Sequence, residues 1–183
     1  MERRKFLLGA AATIPLFAFG SKSDVQQLRS GKSFIVKNGE SRFKERTLLS
    51  GKNPNDVKIS SKDTGGQLTV FEYTGNEKGG PPLHIHPHQD EIFFIMQGEY
   101  LFQVGNENYL LKAGDTIFLP RNIPHTFAQS TEKGKCFCFF QPSGKMEDFF
   151  RVLGSLKGEL SPEQGAKIFI NHDMKVVGPP LKF

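Results

Sequence analysis

HIHPHQDE, residues 84–91, places three of the chain's five histidines within five residues and closes on two carboxylates. Histidine is the commonest side-chain metal ligand near neutral pH. The run therefore reads either as part of a metal site or as a polar turn. Strand geometry separates its members. Residues i and i+2 of a strand point to one face, so His84 and His86 can hold one ion, and His86 and His88 share that parity. Pro87 decides between the two pairs. It pushes His86 to extended backbone and removes a ladder donor, so the strand ends near Pro87. His88, Gln89 and Asp90 then form the turn. Glu91 opens the next strand and projects with Phe93 and Ile95. His84, His86 and Glu91 thus converge across two adjacent strands, whereas Asp90 faces away. A fourth ligand has to come from elsewhere. His125 is the best candidate, because it starts a strand after the tight turn PRNIP at 120–124. His172, in INHDM, is expected at the surface.

The rest of the chain supplies the frame for this turn. With 183 residues, 37% hydrophobic and 23% charged, it is long enough for a real core and suits one domain, two at most. From 34 to 141 it reads as short strands separated by turns. They are expected at 34–36, 57–59, 67–73, 92–97, 100–104, 109–111, 116–119, 125–129 and 135–140. Gly, Asn and Pro punctuate them at GNEKGG (75–80), GNEN (105–108), AGD (113–115) and PRNIP. That spacing predicts an all-β antiparallel sandwich or barrel. The segment 92–96, IFFIM, is apolar on both faces. It predicts a strand covered twice: by the interior, and outside by a second subunit or by the N-terminal strands. After Pro142 the periodicity becomes helical. Phe149, Phe150, Val152 and Leu153 share helical spacing, and Ser161-Pro162-Glu163-Gln164 supplies an N-cap, a proline at the first helical position and a capping glutamine. Two short helices are expected, near 146–154 and 162–170, followed by an extended tail.

The amino terminus reads as a targeting segment. Residues 6–20 are a 15-residue apolar run after MERRK, which suits a signal sequence and is short for a membrane span. Arg3-Arg4 resembles a twin-arginine export signal, with departures at Glu2 and Leu8. An ordinary secretory signal is the competing reading. The expected organisation is a signal peptide over 1–20, a linker over 21–33, a β-barrel over 34–145 and a helical segment with tail over 146–183. Export, to the periplasm, would leave no stable membrane span after processing. The net charge of +5 includes +2 from residues 1–20; the remaining +3 is spread without a basic block, which argues against a nucleic-acid partner. Export would put Cys136 and Cys138 in an oxidising compartment. Two residues apart on one strand they are poorly placed for a disulfide, and they read as small buried apolar residues rather than a metal pair.

Taken together, the motifs resemble the cupin superfamily, in particular its small single-domain (type-2) members similar to quercetin dioxygenases. The first cupin motif, G-x(5)-H-x-H-x(3,4)-E-x(6)-G, is matched by His84, His86, Glu91 and Gly98, with the leading glycine displaced to Gly79. The second, G-x(5)-P-x-G-x(2)-H-x(3)-N, is matched by Gly114, Pro120 and His125, with Asn122 for a glycine and Gln129 for the last asparagine. The resemblance covers roughly 65–142. It implies a double-stranded β-helix (jelly-roll) barrel whose metal ligands are His84, His86, Glu91 and His125.

Three imidazoles and a carboxylate suit one divalent transition ion: Fe, Mn, Ni, Co, Cu or Zn. Six-coordination would leave two positions for a chelating substrate, or for a substrate and O₂. Similar cupins cleave flavonols or related enols with O₂, and the glutamate ligand can act as base on the substrate hydroxyl. Glu91 would take that catalytic part here. The first expectation is therefore an exported metal-dependent dioxygenase acting on a small enolic or phenolic molecule. The alternatives are a non-catalytic cupin that binds metal or a small ligand, and a metal-dependent isomerase or lyase. A homodimer is a further expectation.

Overall fold

The computed structural model describes residues 31–158 and 160–182; the expected signal segment and most of the linker lie outside the described residues. In chain order the elements are β1 (Leu48–Leu49), β2 (Asn53–Ile59), α1 (Ser61–Thr64), β3 (Thr69–Gly75), β4 (Pro82–Ile85), β5 (Asp90–Gln97) and β6 (Glu99–Val104). They continue as β7 (Glu107–Lys112), β8 (Thr116–Leu119), β9 (His125–Gln129), β10 (Gly134–Gln141), α2 (Met146–Ser155), α3 (Pro162–Asn171) and β11 (Lys175–Pro180). Two antiparallel sheets form, with strand orders β1-β2-β3-β10-β5-β8 and β11-β4-β9-β6-β7. Spatial neighbours are distant in sequence: β10 lies between β3 and β5, and β9 lies between β4 and β6. This is the expected jelly-roll with short C-terminal helices. Among the described residues no helix is long and apolar enough to cross a membrane.

The core follows from alternation along the strands. Phe93 and Ile95 of β5, Cys136, Cys138 and Phe140 of β10, and Tyr100 and Phe102 of β6 are all buried. Phe93 joins the two sheets, with its ring 5.1 Å from both Phe102 and Phe127. Each such ring contributes on the order of 1.5–3 kcal/mol through burial. Gly98 turns β5 into β6 at φ +85°, where a Cβ would strike Lys133 O, so only glycine fits. Gln129 pins the far end of β9: its Oε1 accepts from Tyr100 Oη at 3.1 Å and its Nε2 donates to Thr131 O at 2.9 Å.

The structure corrects several expectations. Residues 34–36 form no strand, and Ile35 is 88% exposed. The N-terminal strands do not cover the outer face of β5. They extend the sheet sideways beyond β3, leaving Phe94 and Met96 partly exposed. His172 is buried rather than at the surface: its Nδ1 donates to Ile168 O at 2.7 Å at the end of α3, and Nε2 faces Asp148 at 3.3 Å.

Candidate metal centre

Three strands and one turn bring the candidate residues together. His84, on β4, lies directly opposite His125, which opens β9. His86 follows two residues after His84, beyond the end of β4. Glu91 opens the inward face of β5, paired with Leu119 on β8 and Phe140 on β10. One donor atom from each of His84, His86, Glu91 and His125 lies within 4.8 Å of all the others, and all four residues are buried. Asp90 points outward as the parity requires and pairs with Arg121. His88 is exposed in the turn.

The hydrogen bonds show which ring nitrogens face the centre. His84 Nδ1 donates to Pro82 O at 2.8 Å and His125 Nδ1 donates to Ile123 O at 2.9 Å. A backbone carbonyl can only accept, so each ring carries its proton on Nδ1 and turns Nε2 inward. There His84 Nε2 stands 3.1 Å from His86 Nε2, while Glu91 Oε2 stands 3.0 Å from His125 Nε2 and 3.7 Å from His86 Nε2. The inward Nε2 of His84 and His125 and the Glu91 carboxylate thus bring acceptor lone pairs together in a buried cluster. A divalent cation would satisfy these donors, and the N₃O set suits a first-row transition ion.

Burial keeps these groups in their ligating forms. It lowers His84 to about 3, helped by His125 and His86, and lowers His86 to about 4. Burial alone would raise Glu91, but a proton donated from His125 and the positive charge that the three rings take up on acidification bring it down to about 2. Near neutral pH the centre holds neutral His84 and His86 rings and an ionised Glu91. The remaining carboxylate oxygen is also held: Cys138 Sγ lies 3.0 Å from Glu91 Oε1. Burial pushes the Cys138 thiol well above its usual range, so it stays protonated and donates.

The centre opens on an apolar cavity of about 930 Å³, whose lining includes His84, His86, Glu91, Phe93, Phe127 and Phe140. The C-terminal helices close one side: Phe149 of α2 packs on Phe169 of α3, and the Phe169 ring lies 5.3 Å from His84. A pocket of this kind takes a mostly apolar small molecule and orients it by a few polar groups.

Residues 70–140 match the cupin domain family. They are a cupin domain. A quercetin 2,3-dioxygenase from Bacillus subtilis is 25% identical over 130 residues, covering 70% of this chain and 37% of that protein. The chain thus spans little more than a third of that relative's length. Among solved structures, an RmlC-like cupin from Shewanella frigidimarina superposes with a TM-score of 0.52 at 20% identity, over 64% of this chain and 96% of that one. KdgF from Halomonas sp. gives a TM-score of 0.52 at 14% identity, over 61% and 94%. At these identities the structural likenesses show the fold. The four residues expected to converge in this cupin do so, on the jelly-roll strands and the turn after β4.

Sequence reasoning misses one residue at the site and the burial of another close to it in the chain. Cys138 is expected as an inert apolar residue, yet it touches the Glu91 carboxylate. Its position depends on the register Phe140↔Glu91 and Cys138↔Phe93 between β10 and β5, which no local pattern sets. Gln89 is expected in an open turn, and it is 4% exposed.

Proposed function

We propose that this cupin is an exported metal-dependent dioxygenase that cleaves a small enolic or phenolic, flavonol-like substrate with O₂. The observation that carries the reading is the set of four inward donors, His84, His86, Glu91 and His125, opening onto a large apolar cavity. The similarity to a quercetin 2,3-dioxygenase supports the choice of reaction, and the apolar run after Arg3-Arg4 supports export. A bound divalent ion would polarise the substrate oxygen and provide the redox partner for O₂.

The chain's own groups supply the rest. The Phe93, Phe127 and Phe140 rings stack against an apolar substrate and exclude water. Glu91 is the anionic acceptor beside the substrate position and takes the proton from the substrate hydroxyl. Cys138 keeps Oε1 occupied, so Oε2 is the working oxygen.

The test is O₂ uptake by protein loaded in turn with each candidate ion, using a panel of flavonols and β-diketones. The expected result is uptake with at least one redox-active ion and at least one substrate, lost in Glu91→Gln. Stoichiometric metal binding with no uptake from any pair would overturn the dioxygenase. It would favour a binding cupin or an O₂-independent isomerase or lyase.

A further inference from the structure

Some polar groups on the cavity wall do not belong to the metal centre. Asn55, on β2, is 3% exposed, and its Nδ2 is buried without a hydrogen-bond partner. Such groups are rare, because an amide buried unpaired loses the hydration it had in the unfolded chain. Asn53, two residues earlier on the same strand, is held differently. Its Nδ2 donates to Glu77 Oε1 at 3.2 Å and its Oδ1 accepts from Asn76 N at 2.7 Å, which ties β2 to the turn after β3. No such tie holds Asn55 Nδ2. The residue lies instead on the wall of the cavity of about 930 Å³ that opens from the metal centre. Directly opposite it on β3 stands Tyr73, which lines the same cavity. Burial raises the Tyr73 phenol to about 12, so near neutral pH it keeps its proton and donates. Tyr100, by contrast, spends its hydroxyl on Gln129.

The strand registers place this pair far from the donor cluster. Asn55, Tyr73, Cys136 and Ile95 form one row across β2, β3, β10 and β5, and Ile95 lies four residues beyond Glu91. At about 3.3 Å per residue, that row is about 13 Å along the strands from the row of Glu91. Between the two ends the wall includes the Phe93 and Phe127 rings. The charges near the far end are engaged elsewhere: Glu77 pairs with Lys52, and Lys78 with Glu132. That end therefore offers neutral hydrogen-bonding groups. Resting on the reading of the cavity as the site of an enolic or phenolic substrate that chelates the ion, we propose that Asn55 and Tyr73 form a distal subsite: they hydrogen-bond an uncharged hydroxyl or carbonyl at the end of the substrate remote from the metal centre. The substrate is then elongated, polar at both ends and apolar between them. A ligand oxygen gives Asn55 Nδ2 the acceptor it lacks, and a half-turn of the amide presents Oδ1 to a hydroxyl that donates. Tyr73 donates to the same group.

The test compares flavonols that differ only at the distal end. The probes are 3-hydroxyflavone, bare apart from its chelating pair, and the same molecule with one hydroxyl added at the 4′ or at the 7 position. Binding to the Zn²⁺-loaded protein is read by fluorescence titration; Zn²⁺ has no redox chemistry, so no turnover with O₂ intervenes. In the wild type at least one hydroxylated probe should bind about 10-fold more tightly than 3-hydroxyflavone. Asn55→Leu should abolish that preference and Tyr73→Phe should reduce it, while both keep the wild-type affinity for 3-hydroxyflavone. Equal binding of all three probes by the wild type would overturn the distal subsite without any variant having to fold. A preference that survives intact in Asn55→Leu would overturn it as well. A wild-type protein that binds none of the three would overturn the flavonol-like reading of the cavity and the subsite with it, a failure distinct from a missing distal preference.

Discussion

Glu91 brings a full negative charge among three buried imidazoles, and removing any one member leaves the set a donor short. His125→Ala and Glu91→Ala should each reduce metal content from one equivalent to well below one, measured by atomic emission after dialysis. Full occupancy in both would rule out the four-ligand set. The same burial makes the metal-free protein acid-sensitive. His84 at about 3 and His86 at about 4 compare with 6.5 in the open chain. Below pH 6.5 the unfolded chain therefore binds protons that the folded chain refuses, and stability falls with pH. The slope is at most about 1.4 kcal/mol per pH unit for each histidine. The Glu91 contribution is fully present above 4.5 and is lost as pH falls from there toward about 2, in the same direction. Urea unfolding of metal-free protein should show its midpoint dropping between pH 7 and pH 4.5. A flat profile would mean that these rings are solvated.

At the scale of elements, α3 is the piece whose local signal and structural role agree most closely. Ser161 accepts from the Gln164 amide at 3.2 Å, Gln164 Oε1 accepts from Ser161 N at 2.9 Å, and Pro162 opens the helix. Ser161→Ala should cost about 1 kcal/mol in urea unfolding. No change would show that α3 contributes nothing through its cap. Such short-range patterns explain what was legible. Alternation exposed β5, β6, β9 and β10, and parity with Pro87 separated His84, His86 and Glu91 from Asp90 and His88. What escaped depends on distant partners. β1 has two residues and exists only by pairing with β2. β11 carries Gly178, Pro179 and Pro180, which argue against a strand, yet it survives as an edge on β4. Cys138 and Gln89 carry no local signal for the same reason: the groups they face, Glu91 and Gly144, are brought to them by packing. The short helix α1 did have a local signature, the reciprocal cap between Ser60 and Asp63, and could have been read from it.

For the molecule as a whole, the jelly-roll and the centre depend on one another. The donors come from β4, β5, β9 and the turn after β4, so an ion bound there ties both sheets together. An ion that binds only the folded state stabilises it by mass action, by about 2.7 kcal/mol at a free concentration 100 times Kd. Thermal unfolding of the loaded protein should therefore move to higher temperature as Co²⁺ or Zn²⁺ is raised and return with chelator; no shift would place any bound ion outside the fold. The most direct measurement is anomalous diffraction at the cobalt edge from crystals grown with Co²⁺. The account predicts one strong peak at about 2.0–2.2 Å from Nε2 of His84, His86 and His125 and from a Glu91 oxygen. No peak in that position at saturating Co²⁺, or a peak held by other side chains, would contradict it.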